Sequence, residues 1–134
     1  MKIYIASSWK NQHAVEMLTA LLRDRGHEVL SFVEKAVADE SRKGLKFDVE
    51  KWINSEDGYN KFIYDTNGAT QSDMVIYIGP SGIDAWAEVG AAWGCGKPVL
   101  GLWAKNEQVG LMRKMVAWFS NYQGLLNAVD GWKK

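Results

Sequence analysis

Apolar residues follow two rhythms along the chain. Short unbroken runs, Lys2–Ala6 (KIYIA), Met74–Ile78 (MVIYI) and Val99–Trp103 (VLGLW), are rich in β-branched and aromatic residues and have the length of buried strands. Glu28–Phe32 reads as a further strand and Val116–Phe119 as a short fifth one. The other rhythm is helical. From Asn11 to Arg25 apolar residues recur at Val15, Leu18, Leu21 and Leu22, and Gly26 is a natural stop. Tyr59 to Gln71 reads as a helix with Phe62 and Ile63 turned to the sheet. A helix opening near Ile83–Asp84 carries Ala85, Ala87, Gly90, Ala91 and Ala92, small residues that allow close approach, and Gly94–Gly96 ends it. Gln108–Met115 reads as an amphipathic helix and Tyr122–Val129 as a final one, with Gly131–Lys134 a tail that is exposed or sits on a neighbour. Strands alternating with helices build βαβ units and a parallel sheet, here in a single domain over residues 1–134.

One segment breaks the alternation. Glu34 to Asn60 is polar and irregular, with a short helix near Val49–Ile53. A loop of this length in a small domain is commonly functional or mobile, and it reads either as a lid over the strand ends, with Phe47, Trp52 and Tyr59 as candidate walls, or as a floppy surface excursion.

The chain is organised around Ser72 to Leu102, a strand, a Gly79–Gly82 turn, a helix and a second strand. Ligands on parallel sheets sit where strand C-terminal ends meet helix N-termini. Glu88 lies at that edge in an otherwise small, apolar helix. The turn after the first strand, Ser7-Ser8, offers helix-capping hydroxyls and backbone N–H groups for an anion, yet has neither the dinucleotide nor the P-loop glycine pattern. Asp73, Lys97 and Cys95 read as structural. Asp65 sits on its helix either as a solvated charge or as part of a site.

Composition narrows the classes. Sixteen basic residues balance sixteen acidic ones, which argues against a nucleic-acid footprint or a polybasic membrane patch. A single cysteine, Cys95, leaves no internal disulfide, and with only His13 and His27 no metal site or cofactor is expected. The apolar opening is shorter than a signal peptide or membrane span, so a cytoplasmic domain is expected. Seven tryptophans and five tyrosines suit core and interface, or the wall of a pocket for a flat heterocycle.

A carboxylate beside a Gly-Pro-Ser-Gly turn has three jobs open to it. It can interact with the helix dipole, hold ribose hydroxyls, or act as nucleophile or base on a sugar carbon while a second carboxyl group handles protons. The residues alone leave all three open.

The segment A-E-x-G-x-A-x-x-x-G-K-P-V, Ala87 to Val99, resembles the signature of the nucleoside 2-deoxyribosyltransferase family, which includes 2′-deoxynucleoside 5′-monophosphate N-glycosidases. The opening Ile3-Tyr4, four small or apolar residues and then Trp9 is similar too, as is Tyr64-Asp65 followed eight residues on by Asp73. The resemblance implies a flavodoxin-like α/β/α sandwich with a five-stranded parallel sheet in order 2-1-3-4-5. It also implies cleavage of the N-glycosidic bond of a deoxynucleoside or its monophosphate, passing the sugar to water or another base. By that resemblance Glu88 is the nucleophile, Tyr4 orients its carboxylate, Asp65 contacts and helps protonate the base, and Trp9 lines the base pocket. A homo-oligomer that shares site residues is expected as well.

Departures from the family pattern bear on the substrate. The family's transferases have a longer loop before the glutamate, with an aspartate six positions ahead of it. Here that position is Gly82, flanked by Ser81 and Asp84. The nucleotide-hydrolysing branch has a phosphate-binding serine in this loop. Gly79, Ser81 and Gly82 are therefore candidates for a phosphate nest, helped by Ser7, Ser8 or Lys10. Asn121 falls roughly where transferases keep a site asparagine. Two rival readings stand beside this one. A Toll/interleukin-receptor-like domain that cleaves NAD shares the plan, but its glutamate follows a tryptophan by four positions, where this chain has Asp84. A non-catalytic nucleotide-binding module would use Glu88 only to hold a ribose.

Overall fold

The structure, a computed structural model, describes residues 1–37, 49–108 and 110–133. Strands β1 (Lys2–Ala6), β2 (Glu28–Ser31), β3 (Met74–Ile78), β4 (Val99–Leu102) and β5 (Ala117–Phe119) form one parallel sheet in the order β2-β1-β3-β4-β5. Helices α1 (Gln12–Asp24), α2 (Phe32–Val37), α3 (Val49–Ile53), α4 (Glu56–Gln71), α5 (Ile83–Gly94) and α6 (Tyr122–Asp130) flank it. This is the flavodoxin-like α/β arrangement expected from the sequence.

The two faces of the sheet are packed differently. Strand side chains alternate between faces, so Ile3, Ile5, Met74, Ile76 and Leu100 pack with Val15, Leu18 and Leu22 of α1 and Leu125, Leu126 and Val129 of α6. Burying each such side chain contributes about 1.5–3 kcal/mol, and this face carries most of the bulk. The opposite face presents Tyr4, Ala6, Val75, Tyr77 and Val99 to Ala69 of α4 and Ala85, Val89 and Ala92 of α5. Small helix residues bring α4 and α5 close to the strands, and the largest buried side chains there are two tyrosines with polar tips. The polar chemistry of the molecule collects on this face.

Asp73 ties the entries of the central strands together. Its carboxylate accepts from the Lys2 N–H at 2.8 Å, and its own N–H donates to the Lys2 carbonyl at 2.8 Å. Gly26 follows α1 at φ +88°, the left-handed conformation that glycine adopts at least cost.

Several expected elements differ in detail. Phe32 begins helix α2 instead of ending β2, and a bidentate Arg23–Glu34 ion pair links α1 to α2. Helix α4 starts earlier than Tyr59, because Ser55 caps it by accepting from the Gly58 N–H at 3.1 Å. Phe62 and Ile63 do not face the sheet: both are exposed, and Gly68 and Ala69 are buried in their stead. Among the described residues of the stretch expected as a helix over Gln108–Met115, the helical part is a 3-10 turn, Leu111–Met115, entered from an extended Gly110. Neither Ser7 nor Ser8 caps the turn Trp9–Asn11 or α1. Phe47 and much of the expected lid lie outside the described residues.

Candidate active site

Register sets the site. Tyr4 stands in β1 between Leu30 and Val75, in the middle of the sheet, and its fully buried ring lies against α4. Gly68 makes this possible, since a Cβ at that position would overlap the Tyr4 ring. A glycine inside a helix costs about 1 kcal/mol relative to alanine, and here its place is filled by an aromatic ring. From this seat the Tyr4 hydroxyl reaches α5 and donates to Glu88 Oε2 at 2.7 Å.

Glu88 opens onto a cleft of about 440 Å³ between α3, α4 and α5, within the usual range for small-ligand sites. Trp52 and Ile53 of α3 form one end, Tyr59, Lys61, Phe62 and Asp65 of α4 one side, and Asp84, Ala87 and Glu88 of α5 the other. Asp65 and Glu88 therefore share one cavity. Lys61, one helical turn before Asp65, donates to both of its carboxylate oxygens, at 2.8 and 2.7 Å.

Electrostatics at this point are dominated by desolvation. Burial pushes the Glu88 carboxyl up to about 8. The Tyr4 hydrogen bond opposes that rise, the charges of Asp65 and Asp84 add to it, and Lys61 reduces it. Burial, followed by the charges of Glu88 and Asp65, holds the Tyr4 phenol far above its ordinary range, so it remains a hydrogen-bond donor.

The strand-end loops adjoin this cleft without lining it. The Ser7 hydroxyl donates to the Ile78 carbonyl at 2.8 Å and accepts from Asn11, whose amide also donates to the Pro80 carbonyl at 2.8 Å. Ser7 thus clasps the ends of β1 and β3 together. The Ser8 and Ser81 hydroxyl oxygens are buried without a hydrogen-bond partner among the described residues. Trp9 is partly exposed and packs edge-to-face on Phe32 at 5.6 Å, and Phe32 in turn lies 5.5 Å from the Lys61 ammonium. Gly82 caps α5 through its backbone alone. Asn121 is elsewhere: it caps α6 by accepting from the Gly124 N–H at 2.8 Å and does not line the cleft.

Beneath the Gly79–Gly82 turn is a second buried carboxylate. Glu107, 7% exposed, accepts from the Tyr77 hydroxyl at 2.8 Å and from Trp86 Nε1 at 3.3 Å. The Tyr77 oxygen also accepts from the Ser81 N–H at 3.0 Å, so this network holds the turn from below. Gly79 leaves the room that Glu107 occupies.

Lys61, Phe32, Gly68 and Glu107 were not singled out from sequence. Two had a local signal, Gly68 as a glycine in mid-helix and Lys61 as the i−4 partner of Asp65. Among the described residues no group of three or more His, Cys, Asp or Glu side chains is placed to hold a metal ion, and no helix is long and apolar enough to cross a membrane.

No protein-family model matches the chain, and no curated protein matches it either. Solved structures do. A 2-deoxyribosyltransferase from Bacillus psychrosaccharolyticus is similar over 99% of this chain and 93% of its own, with 23% identity and a TM-score of 0.66. The CMP N-glycosidase BcmB of Clostridium botulinum is similar over 98% of this chain and 100% of its own, with 20% identity and a TM-score of 0.60. A conserved protein from Enterococcus faecalis V583 is similar over 98% of this chain and 75% of its own, at 18% identity and a TM-score of 0.51. At these identities the likeness establishes a shared fold over nearly the whole chain.

Proposed function

We propose that this protein cleaves the N-glycosidic bond of 2′-deoxynucleosides or their 5′-monophosphates, passing the sugar to water or to another base. The observation that carries the reading is the Tyr4–Glu88 pair, a buried carboxylate aimed by a buried phenol into a ligand-sized cleft that also holds Asp65. A carboxylate used only to hold a ribose needs no such partner or burial. Two of the structures sharing the fold are named as a 2-deoxyribosyltransferase and a CMP N-glycosidase, which supports the same chemistry.

The reaction proceeds in two displacements. The Glu88 carboxylate attacks C1′, the C1′–N bond breaks, and its electron pair leaves with the base, which takes a proton. Water or a second base then attacks C1′ from the vacated side and frees Glu88. Tyr4 fixes the attacking oxygen, and Trp9, which packs edge-to-face on Phe32 outside the cleft lining, contacts the base once it is bound. The partnerless Ser8 and Ser81 hydroxyls, with the backbone at the start of α5, support a 5′-phosphate at the strand ends. Copies of the chain assemble around the site, in line with the exposed Ile83 beside Asp84 at the cleft edge.

The test is a panel of deoxynucleosides, their 5′-monophosphates and NAD, with Glu88→Ala alongside and free base followed by chromatography. Base release that disappears in the variant, and a deoxyribosyl mass on Glu88 after acid quenching, is the expected result. Exchange onto an added base selects transfer over hydrolysis. Nicotinamide release from NAD alone, or no release at all, overturns the proposal.

A further inference from the structure

We propose that Lys61 is the general acid of the site, supplying the proton that the departing base takes up. This inference rests on the glycosidase reading above and deepens it.

The geometry reassigns a role that the resemblance gave to Asp65. A carboxylate that protonates a base must carry a proton, and Asp65 is engaged as the anion of an ion pair, accepting from Lys61 at both oxygens. The N–H protons on this wall of the cleft belong to Lys61. An ammonium has three donors, and the two bonds to Asp65 leave one for a base. The side chain is also poorly solvated, with 15% of it exposed. Phe32 packs 5.5 Å from the ammonium and Trp9 packs edge-to-face on Phe32, so an aromatic ring flanks the cation. Lys61 and Asp65 line the same cleft as Glu88.

The proton accounting closes. In the first step a Glu88 oxygen bonds to C1′ as the C1′–N bond breaks, the bonding pair goes to the base nitrogen, and one Nζ proton passes to the base. Lys61 is left as a neutral amine held by Asp65. In the second step the oxygen of water bonds to C1′ and the ester bond to Glu88 breaks, restoring the carboxylate. The proton lost by that water returns to the Lys61 amine. When another base is the acceptor, its N–H supplies the same proton.

The experiment compares leaving groups that do and do not need protonation. An N7-methylated purine deoxynucleoside already carries the positive charge that a proton would bring, and 5-nitro or 5-fluoro pyrimidines serve the same end for pyrimidine substrates. Wild type is measured first on an ordinary substrate and its activated counterpart. Lys61→Met and Lys61→Arg follow, the second keeping the charge opposite Asp65 but not giving up a proton near neutral pH. General-acid catalysis typically supplies about 10²–10⁴-fold, so both variants are expected to lose on the order of 100-fold or more on the ordinary substrate. On the activated one they should stay within about 10-fold of wild type. An equal loss on both substrates, or full activity of Lys61→Arg on the ordinary one, overturns the assignment and leaves Lys61 as a charge partner of Asp65. Absence of base release by wild type itself overturns the glycosidase reading, and that is read before any variant is made.

Discussion

Replacing Tyr4 by phenylalanine removes one oxygen from a buried ring and leaves the packing against Gly68 in place. The lost interaction is a 2.7 Å hydrogen bond donated to the group that must be anionic to attack. Bonds to charged groups contribute about 1.5–3 kcal/mol, and one pKa unit corresponds to about 1.36 kcal/mol. Without its donor the Glu88 carboxylate should therefore titrate about one to two units higher. In the wild-type protein burial already holds this carboxyl up to about 8, so activity should rise with pH through that region. The sign is definite. The phenol stabilises the ionised form, its removal favours the protonated form, and the variant is short of nucleophile at neutral pH.

The assay is kcat/KM for base release as a function of pH, which reports the free enzyme. At pH 7 Tyr4→Phe should be down by roughly 10- to 100-fold, with the two profiles converging at alkaline pH. A midpoint unchanged by the substitution would refute the reasoning, because it would mean that the phenol does not set the ionisation of Glu88. A loss that is uniform across pH would refute it equally, pointing to altered packing.

Two further predictions concern stability. The folded-state value of Glu88, about 8, lies above its ordinary 4.5; the folded protein therefore holds an extra proton between these values and loses stability as pH rises through that window. Glu88→Gln escapes this loss, so its Tm should match wild type near pH 4 and exceed it by several degrees at pH 9 in thermal melts, the gap amounting to a few kcal/mol; a constant gap would contradict the linkage. Gly68→Ala should lower the Tm although alanine favours helix by about 1 kcal/mol, because the new methyl meets the Tyr4 ring; its pH–activity midpoint should move in the same direction as that of Tyr4→Phe, and a stabilised variant would show that the ring can yield.

The sheet was legible in the sequence because strands buried on both faces leave unbroken apolar runs, and KIYIA and MVIYI are such runs. Glu88 was legible for the opposite reason, as a charge in a helix otherwise built of small apolar residues. The orientation of α4 was not legible, and its composition explains why. Periodicity assumes that the apolar side of a helix faces inward. On α4 the inward stripe is Gly58, Lys61, Asp65, Gly68 and Ala69, positions that line the cleft or lie buried. The glycines admit Tyr4 and the backbone of α3, and the charged pair supplies chemistry, so the stripe scores as polar. Phe62 and Ile63, expected to face the sheet, are exposed, and Phe62 with Tyr59 borders the cleft. A helix that carries half of an active site inverts the usual pattern, since its buried face is polar or small and its aromatic residues gather at the mouth. The residue that sequence reasoning passed over, Lys61, lies on that inverted face, four positions before the aspartate that had drawn attention.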